Sequence, residues 1–466
     1  MQAKLRRMVR AGVVSLLLLS LLATAGCSLG GQPQPDPDKI PARVQNAEEV
    51  AERAVPGWKR AREQGLVVDL GQSYPVAGSD ATIRLEKAWY SGREAYILYT
   101  VTVPRGGTYV MPTALHLGSD RDETDYSFPA VAPWSDLSTW GGFSPEGFHS
   151  LFIISGLDVP EGTQQITATL KDWRAVTPNR GLDEDLTHPT DQVYFTLPWD
   201  DAYLKEPAPE SIPLDHEKTW LGRTLRLKEL RVGTGWTWLT GEITLGEGED
   251  DPSLDAFLIS GGRELGAKIE YEPTGEPGRY TFTAAFDGLD EWPAPVSLYL
   301  QGIRFGTHQT LEWRIPWAKY RDVDSSLDRL MDPEDQVSVP FYGSEIVSVR
   351  ADDWGISFEE RVPKQNPPYV EPHLQGHGRG EPGWPGFPDM PGFEVINDAG
   401  EVVRNMGGGG GAMYYTRFGR HESVSISLYE EYLPKGFLQS EQLLVRYVNP
   451  SGTMVIDETW QLTDGE

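Results

Sequence analysis

The chain has 466 residues, with 41 basic and 69 acidic side chains, a formal charge of −28, 50 glycines, 36 prolines, 15 tryptophans and one cysteine. So acidic a surface repels phosphate backbones and anionic headgroups, which argues against nucleic acid as a partner, and a single cysteine excludes an internal disulfide framework. Many glycines and prolines argue against a helical bundle, and the length allows roughly two to four domains of about 100–200 residues each.

The first 26 residues have three parts. Lys4, Arg6, Arg7 and Arg10 give a positive start, and no acidic residue precedes Asp36. Ala11 to Ala25 is uncharged and leucine-rich, and Ala25-Gly26 places small residues directly before Cys27. A charged head, a short apolar run and a small-residue cleavage region define an export signal, and the run is too short for a comfortable membrane span of about 20 residues. The arrangement resembles the lipobox of bacterial lipoproteins, although Thr24 stands where that family usually has leucine. The resemblance implies that residues 1–26 are removed, that Cys27 becomes a lipidated N-terminus (palmitate among its acyl chains), and that the protein is held on the cell membrane facing outside the cytoplasm. Two or three acyl chains would anchor it stably. The competing reading is an ordinary signal peptide cut nearby.

Residues 27–40 are rich in Pro and Gly and predict an extended tether. In Pro41 to Ala54, the residues Val44, Ala47, Val50, Ala51 and Ala54 recur at three- and four-residue spacings. That spacing predicts an amphipathic helix ended near Pro56, within an N-terminal helical segment 41–64. The next helical pattern is Asp324 to Met331; everything between reads as strands and turns.

An internal repeat organises the rest. "IRLEKAWYSGREAYILYTVTV" (Ile83 to Val103) aligns without a gap on "LRLKELRVGTGWTWLTGEITL" (Leu225 to Leu245). In each, alternate apolar residues fall on one face of a strand, and Ser91-Gly92 or Gly233-Thr234-Gly235 supplies a hairpin turn. Gly156-Leu157-Asp158 then matches Gly288-Leu289-Asp290, "ITATLKDWR" matches "VSLYLQGIR", and "FTLPWDDAY" matches "WRIPWAKY" in the same order. Two copies of one β domain are predicted, at 65–204 and 212–321. A third, diverged copy is predicted at 337–462 from segments of strand character, with a Pro/Gly-rich insertion at 363–393 and another loop around Gly407 to Gly411. The expected fold is all-β, made of tandem β-sandwiches with a short N-terminal helix.

Glu63 to Val103 resembles the start of an immunoglobulin-like ectodomain of unknown function. Such domains occur on exported Gram-positive proteins encoded near extracytoplasmic-function sigma factors. The matching features are the "GLV" lead-in, an alternating strand, the pair Trp89-Tyr90 before a glycine turn, and the strand "AYILYTV". The resemblance implies an immunoglobulin-like fold and an extracellular location, and carries over no catalytic residue.

Chemistry-bearing motifs are sparse. Glu371, His373, His377 and Glu381 contain zinc-ligand types, but two histidines four apart align only on a helix, which the local glycines and Pro372 disfavour. Asp120, Asp122 and Asp125 lack the glycine and distal glutamate of a calcium loop. No glycine-rich stretch leads from a strand into a helix with a following lysine, and no G-x-S-x-G elbow is present. Trp134, Trp140, Trp384 and Phe387 lie in loop-like segments and are the candidate ligand-binding aromatics, whereas Trp89, Trp199, Trp236, Trp238, Trp313 and Trp317 lie in strands and are expected in cores.

The expectation is a non-catalytic lipoprotein without cofactor, binding a partner or ligand in envelope sensing or signalling through a membrane-protein partner. The alternatives are a cell-wall or polysaccharide binder using the loop tryptophans, and a hydrolase.

Overall fold

A computed structural model describes residues 41–465 apart from connecting stretches, the longest being 103–108, 127–139, 156–162, 199–205, 322–330 and 374–391. The fold is all-β, and the chain divides into two compact units. One unit comprises the residues up to Val55 together with Gly65–Lys205; the other comprises Pro56–Gln64 and Glu206–Glu466. The predicted helix at Asp324 to Met331 lies almost wholly outside the described residues, as do Cys27 and the tether.

In the first unit the predicted helix is shorter than its apolar spacing suggests. Strand β1 (Ala42–Arg43) comes first, and α1 (Ala47–Ala54) starts only after Asn46. The Asn46 Oδ1 atom accepts the Glu49 N–H at 3.1 Å, and the Glu49 carboxylate accepts the Gln45 N–H at 2.7 Å. That cap satisfies otherwise orphaned donors and sets the boundary. Val50, Ala51 and Ala54 are buried as their spacing required.

The strands that follow are β2 (Val67–Pro75), β3 (Thr82–Ser91), β4 (Glu94–Thr102), β5 (Tyr109–Ser119), β6 (Asp122–Tyr126) and β7 (Gly141–Ser144). Then come β8 (Gly147–Ser155), β9 (Gln165–Thr177), β10 (Gly181–Thr187) and β11 (Val193–Pro198). One sheet has the order β1-β7-β8-β4-β3-β2 and the other β10-β9-β5-β6, with β11 also paired to β9. Ile83, Leu85, Ile97, Tyr99 and Phe152 of the first sheet meet Ile166, Leu170, Trp173 and Phe195 of the second in one core. Each such side chain contributes about 1.5–3 kcal/mol by leaving water.

The second unit starts with α2 (Trp58–Glu63). Its strands begin with β12 (Glu210–Trp220), β13 (Arg223–Val232), β14 (Trp236–Thr244), β15 (Glu249–Ser260), β16 (Arg263–Pro273) and β17 (Arg279–Asp287). Next are β18 (Pro295–Thr307), β19 (Thr310–Ile315), the short helix α3 (Trp317–Tyr320), β20 (Val337–Ser338), β21 (Glu345–Asp352) and β22 (Gly355–Pro363). The chain ends with β23 (Tyr369–His373), β24 (Gly392–Asn397), β25 (Val402–Arg404), β26 (Gly408–Thr416), β27 (Gly419–Ser427), β28 (Leu443–Val448) and β29 (Ser451–Asp464).

The aligned hairpins share their irregularities as well as their apolar residues. The β3–β4 register shifts between Leu85 and Lys87, and the β13–β14 register between Leu227 and Glu229. These are equivalent positions in the two aligned segments. In both strands the shift changes the phase of alternation, so Ile83, Leu85, Ala88 and Tyr90 line one core, and Leu225, Leu227, Leu230 and Val232 the other. A bulge inserts one residue and flips the faces beyond it.

Strand pairing crosses the limits drawn at 321 and 337. By sequence β19 is the counterpart of β11, which pairs β9; yet β19 pairs β28 instead of β18. The place beside β18 is taken by β29. The nine-stranded path β12-β13-β14-β17-β16-β15-β18-β29-β23 therefore includes the C-terminal strand, and the four-stranded sheet β19-β28-β24-β25 includes a strand from the preceding repeat. That small sheet faces β20-β21-β22-β27-β26 across a core containing Trp313, Trp317, Ile346, Val395 and Tyr447.

Two loop expectations change. Residues 369–373, inside the predicted insertion 363–393, form β23 at the edge of the nine-stranded sheet, the kind of strand in which a proline such as Pro372 is found. Residues from Gly408 onward, expected as a loop, form β26, whose ladder with β27 shifts between Gly410 and Met413. Glycine is tolerated in a strand at such an irregularity.

Candidate functional site

The candidate site is a cleft of about 500 Å³ in the second unit. Leu221, Arg223, Gly246 and Glu249 line one part of it, and Tyr342, Gln365, Pro368, Tyr369 and Val370 the other.

Its first wall is the turn between β12 and β13. Trp220 pairs with Arg223, leaving a two-residue turn in which Leu221 has φ 46° and Gly222 φ 81°. Positive φ at both central residues matches the twist of the flanking strands. Glycine adopts it freely; leucine does so at a cost of about 1–3 kcal/mol. The Leu221 side chain is 56% exposed. Across the cleft, Tyr342 has φ 52° and is 38% exposed. Among the described residues the other non-glycine residues with such φ are Asp251, Asn449 and Asp457, types that enter this region readily. The two that do not are the two large exposed apolar side chains at the cleft.

The floor is a closed polar network. Arg223 and Glu249 form a buried bidentate pair, with Arg223 Nε donating to Glu249 Oε2 at 2.8 Å and Nη2 donating to Oε1. Arg223 Nη1 donates to the Leu221 carbonyl at 3.2 Å, and Nη2 to Tyr342 Oη at 3.0 Å. Tyr342 Oη–H donates to Glu249 Oε1 at 3.1 Å, and the Gly246 N–H to Oε2 at 2.7 Å. A Cβ at Gly246 would lie 2.8 Å from Glu249 Oε2, so any larger residue there would displace the carboxylate from its present place. Burial, followed by the opposing influences of Arg223 and Glu249, raises the Tyr342 phenol above its ordinary pKa and keeps it a donor.

With the carboxylate filling the guanidinium fork, the floor is electrically balanced and no free charge faces the cleft from this pair. The arrangement suits a ligand recognised by shape and by apolar or aromatic contact at Leu221, Tyr342, Pro368 and Tyr369, with Gln365 and the Tyr342 hydroxyl as polar guides.

The residues singled out from sequence fall elsewhere. Trp134, Trp384, Phe387, His377 and Glu381 lie outside the described residues. Trp140 is half-buried and its carbonyl accepts the Ser150 hydroxyl at 2.9 Å. Glu371 and His373 lie on β23, opposite Thr453 and Ser451 of β29. Among the described residues no group of three or more His, Cys, Asp or Glu converges as metal ligands would, and no helix is long and apolar enough to cross a membrane. Trp89, Trp313 and Trp317 are buried, whereas Trp236 and Trp238 are half-buried; Trp199 lies outside the described residues. Sequence reasoning missed Arg223, Glu249 and Tyr342. The one available signal was Leu221-Gly222 between two strand patterns, a hairpin turn with an unusual first residue.

No family model and no curated protein matches the chain. Among solved structures it is similar to a conserved domain protein from Bacillus anthracis, at 10% identity over 59% of this chain and 85% of that one, with a TM-score of 0.26. So low a score adds nothing to the reading of fold or function.

Proposed function

We propose that the protein is a lipid-anchored extracytoplasmic binding protein. It is held at the cell membrane through Cys27, built from immunoglobulin-like sandwiches, and receives an exposed segment of a membrane-protein partner in the cleft of the second unit. The observation that carries the reading is the coincidence of Leu221 and Tyr342. Both hold a costly backbone conformation, both expose apolar surface, and they line the same cleft. Strain kept at exposed positions is a mark of binding sites. The test is in-cell photocrosslinking from a probe residue at position 221. Capture of one integral membrane protein, lost in Tyr342→Ala, supports the reading; equal capture from a probe at exposed Tyr194 of the first unit overturns it.

A cell-wall glycan is the second reading, favoured by the two tyrosines and Gln365 in the cleft. Tyrosine faces stack on sugar rings. Saturable binding of soluble wall fragments that Tyr369→Ala abolishes would select it over the first.

A further inference from the structure

Four polar side chains form a line across the first sheet of the first unit, one from each of four adjacent strands. Ser144 lies on β7, His149 on β8, Thr100 on β4 and Glu86 on β3, in the sheet order β7-β8-β4-β3. His149 and Thr100 are direct cross-strand partners. Ser144 Oγ is 2.6 Å from His149 Nε2, His149 Nδ1 is 2.8 Å from Thr100 Oγ1, and the Thr100 hydroxyl donates to Glu86 Oε1. His149 and Thr100 are fully buried, and Ser144 is half-buried.

The partners at either end of the line select one His149 tautomer. Glu86 Oε1 accepts both the Arg84 Nε–H at 2.7 Å and the Thr100 hydroxyl. The Thr100 oxygen therefore accepts Nδ1–H, which leaves Nε2 as the lone-pair nitrogen and directs the Ser144 proton onto it. Burial lowers the His149 pKa against the raising influence of Glu86 and Glu146, with Arg84 lowering it further, so the ring is neutral and its Nε2 lone pair is open to the Ser144 proton. The Glu146 N–H donates to Ser144 Oγ at 3.0 Å, which uses one lone pair and leaves the other free.

We propose that Ser144 is a nucleophile activated by His149, with Thr100 and Glu86 as positioning residues, and that it accepts acyl groups from small esters. In the step, Oγ bonds to the ester carbonyl carbon while its proton passes to His149 Nε2. The carbon–oxygen bond to the leaving group then breaks, and His149 returns the proton to the departing alkoxide. Acyl-serine and an alcohol result, and water attacking by the same route would release the acid and restore Ser144. The exposed Glu146 carboxylate pairs with Arg84 Nη2 at 3.3 Å. The site is in the first unit and is independent of the cleft.

The test uses the full-length protein and a neutral alkyl fluorophosphonate, with the modified peptide mapped by mass spectrometry. Labelling at Ser144 should be lost in Ser144→Ala and slowed about 100-fold or more in His149→Gln, the range a general base supplies. Equal labelling of native and urea-unfolded protein would overturn the proposal. Because His149 is buried and its replacement can unfold the sheet, Ser144→Cys in a Cys27→Ser background gives a second readout. The introduced thiol should alkylate with iodoacetamide at pH values well below those an ordinary cysteine needs; an ordinary thiol pH profile would equally sink the idea.

Discussion

The guanidinium carbon of Arg223 lies 4.2 Å from the ring centroid of Phe305, and Phe305 in turn meets the Tyr342 ring edge-on at 6.2 Å. The cation is thus held by a carboxylate in its plane and an aromatic face beneath it, with almost no contact with water. Removing one partner of such a pair leaves the other buried and uncompensated. Arg223→Ala should destabilise the second unit by about 3–5 kcal/mol in urea unfolding, whereas the double change Arg223→Met with Glu249→Leu should recover most of that loss. A single and a double variant of equal stability would show that the pair is not buried in solution.

Glycine positions separate backbone approach from chain flexibility. A Cβ at Gly288 would stand 2.1 Å from the Thr234 carbonyl oxygen, and one at Gly241 would stand 2.4 Å from that of Arg226. Gly288→Ala and Gly241→Ala should each cost about 1–3 kcal/mol. Gly266→Ala, in β16 with open space around it, should be neutral or stabilise by a few tenths up to about 1 kcal/mol. Thermal unfolding of the three variants side by side checks the contrast.

His149 links stability to pH. Its folded pKa is lowered from the ordinary imidazole value of 6.5, mainly by burial. Below that value the unfolded chain binds the proton more readily than the folded one, so stability rises with pH across the window. The contribution is complete above pH 6.5 and is lost as pH falls toward the folded pKa. Denaturant midpoints of the first unit between pH 5 and 8 should fall on the acid side, and His149→Gln should flatten that part of the curve relative to the native protein.

Cys27→Ser should move the protein from the membrane fraction to the medium, and should abolish incorporation of a clickable fatty acid. Retention on membranes without lipid incorporation would end the anchor reading.

The sequence revealed strand faces better than strand partners. "IRLEK" and "LRLKE" announced matching hairpins because alternation and turn glycines are local signals, and the shared bulge agrees with that alignment. The exchange of β19 and β29 had no such signal. "WRIPW" carries the same inward pattern whether it lies beside β18 or β28, since alternation records which face is apolar and not which neighbour supplies the hydrogen bonds. The cleft was illegible for another reason. Arg223, Glu249 and Tyr342 are separated by 26 and 93 residues along the chain, and in a chain with 69 acidic side chains one more glutamate stands out only once it is buried.

The crossing of β19 and β29 also sets an order of assembly. Thr307, at the end of β18, holds the Pro450 carbonyl across 143 residues of chain. A chain emerging N-terminus first can finish the first unit early, but the sheet begun by β12 lacks β29, and with it the partner of β23, until β29 is out. Meanwhile β18 presents an unpaired edge, a template for the same edge on another copy. Folding of this chain therefore calls for rapid completion, and a loss of β29 would leave both β18 and β23 without their partner and strip Met454, Ile456 and Leu462 from the core they share with β13 and β18.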